Sequence, residues 1–175
     1  MTNSKIRFRE QKRKVNTIKK YRSVYGVGTN DADYTVSYAY AGSTITCPFY
    51  SKWYSMMQRC YSDKFKEDHP SYILCKTSKE WLLFSNFKNW MKSQNWQGME
   101  LDKDLKIKGN KIYSADTCLL IPSKLNVLLS FSEATNHSSV YLNNRNKKIK
   151  AIAETYQEPM RGFIKQHIVT QALLA

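Results

Sequence analysis

Between Gly98 and Phe131 the order of residue types leaves few folds open. Met99-Glu100-Leu101-Asp102-Lys103-Asp104-Leu105 reads as a strand and Lys106 to Lys111 as a polar loop. Cys118-Leu119-Leu120-Ile121 reads as a second, short apolar strand. Pro122-Ser123 then looks like a helix start, with Leu125, Leu128 and Leu129 on one face. Strand, loop, strand, helix is a ββα unit, and the expected class is α+β.

Helices flank this unit on both sides. Upstream, Phe49, Trp53, Met56, Met57 and Cys60 fall at helical spacing, with Pro48 where a first turn tolerates it. Thr77-Ser78-Lys79-Glu80 matches a capping box, so a second helix is expected to run to about Ser93 and bury Trp81, Phe84, Phe87, Trp90 and Met91. Tyr72-Ile73-Leu74-Cys75 reads as a strand or extended segment, and Tyr34 to Tyr40 as a loosely alternating one. Downstream, residues 132–146 read as a polar linker. Two closing helices follow, about Arg145 to Gln157 and Met160 to Leu174, separated by Pro159. The expected divisions are a basic arm over 1–22, an α+β domain over 23–131, the linker over 132–146 and a helical segment over 147–175.

Charge is distributed unevenly. The chain of 175 residues carries 28 Lys+Arg against 14 Asp+Glu, or +14. Met1 to Arg22 holds nine basic residues against Glu10 alone, or +8. A dense basic arm before a mildly basic body suits a polyanion, because each neutralised phosphate releases counterions. Arg7, Arg9, Lys12, Arg13, Lys14, Lys19, Lys20 and Arg22 are the candidate phosphate contacts; the bland reading is a soluble disordered tail. Apolar residues are sparse in the arm, so disorder, or helix formed only on binding, is expected of it. No apolar run approaches the roughly 20 residues that span a bilayer, and the N-terminus has no apolar signal core. A cytoplasmic protein with no membrane partner is expected. Cys47, Cys60, Cys75 and Cys118 contain no CxxC pair, which points to reduced, buried thiols rather than zinc or redox chemistry.

Several spaced elements then resemble one family. Trp53-Tyr54-Ser55-Met56-Met57-Gln58-Arg59-Cys60-Tyr61 has a W-x-x-M-x-x-R-C-Y form. Downstream come Trp81 and Phe84 to Trp90, then Leu101-Asp102-Lys103-Asp104, then Gly109-Asn110-Lys111-Ile112-Tyr113-Ser114 through Cys118, then Pro122 and Asn126. In this order they resemble phage HNH, or His-Me finger, proteins of the AP2-associated homing-endonuclease type, over about Phe49 to Leu129. Ile149 to Tyr156 also looks like that family's closing helix, while an intervening AP2 domain is absent from the pattern.

The resemblance implies a DNA-binding homing or nicking endonuclease with a degenerate ββα finger. One divalent ion, Mg²⁺ with Mn²⁺ as a substitute, would sit on the scissile phosphate, and no organic cofactor is implied. Asp102 would be a metal ligand, Asn126 the helix residue completing the metal site, and Asn110 a loop residue beside them. Arg59 and Lys103 would add to the nucleic-acid contacts. Metal neutralises developing phosphate charge while a base generates the nucleophile.

Lys103 departs from that pattern. It stands where active members carry a general-base histidine, and a protonated lysine is a poor base near neutral pH. His69, His137 and His167 all lie outside the ββα stretch. Either another residue such as Asp104 activates water, or catalysis is lost and binding kept. The second alternative is a nonenzymatic phage protein that binds DNA, RNA or a host protein through the same scaffold.

Each candidate also has a plainer reading. Asp102 and Asp104 alternate on a strand and would share a face, yet two acids flanked by lysines also suit a solvated charged face. Asn126 can brace a helix as readily as it can bind metal. His69 beside Pro70 suits a surface loop. Trp53, Trp81, Phe87 and Trp90 suit a core, whereas the tyrosines between Tyr34 and Tyr40 are candidates for base stacking.

Overall fold

The computed structural model describes residues 7–12, 22–130 and 139–172. Its strands are β1 (Arg22–Val24), β2 (Gly28–Asn30), β3 (Ser37–Tyr40), β4 (Ser43–Thr46), β5 (Lys76–Thr77), β6 (Met99–Asp102), β7 (Ile112–Tyr113) and β8 (Leu119–Pro122). Its helices are α1 (Pro48–Tyr61), α2 (Asp63–Asp68), α3 (Phe84–Lys92), α4 (Ser123–Ser130), α5 (Ser139–Ala153) and α6 (Met160–Ala172). Small two-stranded sheets and helices make this an α+β chain. It divides into two compact units, residues 1–95 with 111–114 and residues 96–110 with 115–175.

The first unit is organised on α1. Trp53, Met56, Met57 and Cys60 are fully buried, as their helical spacing predicts; the Trp53 ring lies against Phe84, and the Trp81 ring is edge-on to Phe87. The Trp53 indole N–H donates to the Trp81 carbonyl at 2.7 Å, which satisfies the one polar atom of that ring. The β1–β2 hairpin reaches α1 at Gly28, where an added Cβ would lie 2.6 Å from Met57 Cε and 3.0 Å from Trp53 Cζ2. The absent side chain therefore sets how closely the hairpin approaches the helix. In the β3–β4 hairpin, Ala41 and Gly42 both take positive φ, as a two-residue turn between twisted strands requires. β5 pairs in parallel with β7, Lys76 opposite Ile112 and Thr77 opposite Tyr113.

Two expectations fail in this unit, each for a physical reason. The capping box does not open a helix: Glu80–Leu82 is a single 3-10 turn, and α3 begins only at Phe84. Its cap comes from elsewhere, because the Asp31 carboxylate accepts Ser85 N at 2.8 Å and Ser85 Oγ at 2.5 Å. Tyr72-Ile73-Leu74-Cys75 is no strand; Pro70–Tyr72 forms a 3-10 turn, and Ile73 and Leu74 face solvent. In the described part of the arm, residues 7–11 have no regular secondary structure and Lys12 forms an isolated antiparallel bridge with Tyr34. Gln11 O accepts from Thr35 N at 3.0 Å, and Phe8 lies against Tyr34 and Tyr38.

In the second unit β6 and β8 pair antiparallel, with Asp102 opposite Leu119 and Leu101 opposite Leu120. α4 follows β8 directly and packs on both strands. β6, β8 and α4 follow the expected strand, strand, helix order, although β7, which the sequence pattern did not show, lies between β6 and β8 in the chain. Ile121, Leu125 and Leu129 join Ile149, Ala153, Ile164 and Ile168 in one apolar core. α5 starts at Ser139, inside the stretch expected to be a linker, and α6 follows Pro159 as expected. The early start of α5 was hidden because its first two turns, through Asn146, bury no apolar residue completely.

Candidate functional site

The loop that leaves β6 brings four of the predicted site residues together. β6 ends at Asp102, so the alternation that would have set Asp102 and Asp104 on one strand face stops there. The chain instead turns tightly around the Asp102 side chain. Its Oδ1 accepts Asp104 N at 3.0 Å and Leu105 N at 2.7 Å, a local side-chain cap of the kind aspartate favours. Leu105 is thereby turned into the apolar core. Burial pushes the Asp102 carboxyl above the ordinary aspartate range, and the Asp104 charge adds to the rise. The two amides and the Lys103 ammonium pull it partly back.

Lys103 is buried, at 6% exposure, and its Nζ donates to both oxygens of Asp104 at 2.7 Å. This is an ion pair with one buried partner and one half-exposed partner. Lys103 is thus held within the loop instead of being presented to solvent as a phosphate contact. Asn110 braces the same loop, its Nδ2 donating to Lys103 O at 3.0 Å and its backbone N–H to Ile107 O at 3.2 Å. Lys106 Nζ ties the loop to Asp116 O. Asn126 sits half-buried in the second turn of α4, the helix that packs on β6.

These donors fit a divalent ion poorly. Hard cations need several oxygens, but Asp102 Oδ1 already holds two amides and both Asp104 oxygens face an ammonium. Among the described residues no three His, Cys, Asp or Glu side chains gather into a metal-binding cluster. An added dication beside Asp102 would also be repelled by Lys103, whose charge Asp102 already feels.

Elsewhere the candidates separate. Arg7, Arg9, Lys12 and Arg22 are exposed. Arg13, Lys14, Lys19 and Lys20 lie outside the described residues. Arg59, in the last turn of α1, hydrogen-bonds the buried Tyr113 hydroxyl and so is tied to the interior. His69 closes α2 with its ring 4.4 Å from that of Phe65, His137 lies outside the described residues, and His167 is on α6. All four cysteines are buried, and none is in a disulfide.

The expected stacking tyrosines change places. Tyr34 is buried, with its hydroxyl at 3.4 Å from Cys47 Sγ and the Lys88 ammonium 4.1 Å from its ring centre. Tyr38 is half-buried under Phe8, leaving Tyr40 as the exposed ring of that group. A different set, Tyr25, Tyr50 and Tyr54, clusters at the surface where β1–β2 meets α1. The sequence offered little sign of it, since Tyr25 and Tyr54 are far apart along the chain.

No family model, curated protein or solved structure matches the chain. Among the described residues no helix is long and apolar enough to cross a membrane.

Proposed function

We propose that the protein binds DNA and that the unit of β6, β8 and α4 is an HNH-like scaffold that does not cut it. The observation that carries this reading is the Lys103–Asp104 ion pair. A cation occupies the position the family resemblance gives to the general base, and it also holds the carboxylate that would have to stand in for one. Binding is supported by the net charge of +14 and by Arg7, Arg9 and Lys12, all exposed to solvent. Such cations give affinity and salt dependence without reading sequence.

The test pairs a mobility shift with a nicking assay on supercoiled DNA, in Mg²⁺, in Mn²⁺ and in chelator. A retarded complex with intact supercoils in all three is the expected result. Metal-dependent nicking that disappears in Asp102→Asn would overturn the non-cutting reading and restore the endonuclease one. Asparagine is the right replacement because it keeps an oxygen for the two amides while removing the charge a metal needs. Retention of one host protein at high salt, with weak DNA binding, would instead make protein binding the function.

A further inference from the structure

Tyr25, Tyr50 and Tyr54 form a ring cluster on the first unit. Tyr25 and Tyr54 centroids are 5.4 Å apart and their hydroxyls are hydrogen-bonded at 3.1 Å; Tyr50 and Tyr54 centroids are 6.0 Å apart. Tyr50 is the inner member, edge-on to Phe84 and beside Trp53. Tyr54 is 40% exposed, and Val27, in the same turn as Tyr25, is 44% exposed. Arg22 is exposed on β1, three residues before Tyr25, and its charge acts on the Tyr50 hydroxyl.

Two features distinguish this cluster from the ordinary rim of an aromatic core. Tyr25 has φ of 52°, a left-handed conformation that is strained for a bulky side chain and relaxed for glycine. A turn serving only to reverse the chain gains nothing from tyrosine there, whereas a turn that must hold a ring against Tyr54 does. The second feature is charge. Arg22 is exposed on β1 and its charge reaches Tyr50, so the cluster's edge favours an anionic ligand over an apolar peptide.

We propose that Tyr25, Tyr50 and Tyr54 form a stacking platform for an unpaired base of single-stranded DNA, with Arg22 meeting an adjoining phosphate. The proposal rests on the DNA-binding reading and deepens it. Stacking on aromatic rings tolerates any base, because every base has a π-face. The platform thus adds affinity for unpaired strands over duplex without adding sequence preference.

The test compares full-length protein on a labelled oligothymidylate with the same sugar-phosphate chain lacking its bases. Wild type is expected to prefer the base-bearing strand by about tenfold, the worth of one stacked base. Tyr54→Ala should lose that preference while its affinity for the abasic strand and its salt dependence stay as in wild type; Tyr54→Phe should keep it. Tyr25→Gly supplies an independent variant, since it removes the ring and the backbone strain together. It is expected to fold and still lose the preference. Equal wild-type affinity for the two strands overturns the platform and leaves DNA binding standing. Failure to bind either strand or duplex overturns the DNA-binding reading, and the platform with it.

Discussion

Asp102 Oδ1 and the backbone N–H of Leu105 are 2.7 Å apart, and this bond starts the loop that carries the candidate site. Removing the acceptor should open the turn. Asp102→Ala is expected to cost about 1–2 kcal/mol, the usual loss of a side-chain cap on backbone amides, whereas Asp102→Asn should cost less. Urea denaturation of the two variants checks the difference.

The same carboxyl predicts a pH dependence. Its folded pKa is raised, chiefly by burial, so the folded state binds the proton more tightly than the unfolded chain. Its contribution to stability is therefore fully present at pH below the ordinary aspartate range. It declines as pH rises from that range through the raised folded value. Asp102→Asn should remove this decline, so the gap between variant and wild type moves in the variant's favour from acid to neutral pH.

Asp31 and Ser85 are 54 positions apart, yet the carboxylate caps α3 through both the amide and the hydroxyl of Ser85. Asp31→Ala should destabilise the first unit by about 1–2 kcal/mol. Asp31→Asn retains an acceptor and should lose less. Thermal melts followed by tryptophan fluorescence report the change, since Trp53, Trp81 and Trp90 belong to this unit.

Gly28→Ala tests the hairpin's approach to α1. The new methyl would meet Met57 Cε at 2.6 Å, which a methionine end can relieve, and Trp53 Cζ2 at 3.0 Å, which a fully buried ring cannot. A loss of about 1–3 kcal/mol is expected from overpacking. Measured base preference should fall as well, because the shift displaces Tyr25 from Tyr54.

Replacing Arg7, Arg9 and Lys12 together by alanine should weaken duplex binding and flatten its salt dependence. Every phosphate left without its cation lowers the slope of log affinity against log salt by about 0.9. An unchanged slope would show that these residues do not touch the DNA.

What the sequence made legible was what short-range pattern controls. Phe49 to Cys60 recurs at helical spacing, and α1 appears with those residues inward. β6, β8 and α4 were readable as apolar runs, whereas the two-residue β7 between β6 and β8 was too short to leave a pattern. Features set by distant partners were not readable. The α3 cap depends on Asp31, and Thr77, expected to cap, instead bonds its hydroxyl to that of Tyr61. Ile73 and Leu74 look like a buried strand by type, but a 3-10 turn leaves both outside. At the site, the sequence placed Asp102, Lys103, Asp104 and Asn110 near one another along the chain, and hydrogen bonds join them in one loop. It missed that they satisfy one another, because which side chain a lysine reaches depends on where the strand ends.

Residues 111–114 belong to the first unit although residues of the second precede and follow them. They supply the β7 partner of β5, the carbonyls that accept Lys76 N and Ser78 N, and the Tyr113 ring buried beside Arg59. A fragment cut after Asn95 therefore lacks an internal strand and an internal aromatic ring. On the ribosome, the first unit stays unfinished until synthesis has passed Ser114, by which time the β6 loop has already been made. No single cleavage separates the two units into intact halves, and dissection needs residues 111–114 grafted back onto the N-terminal piece.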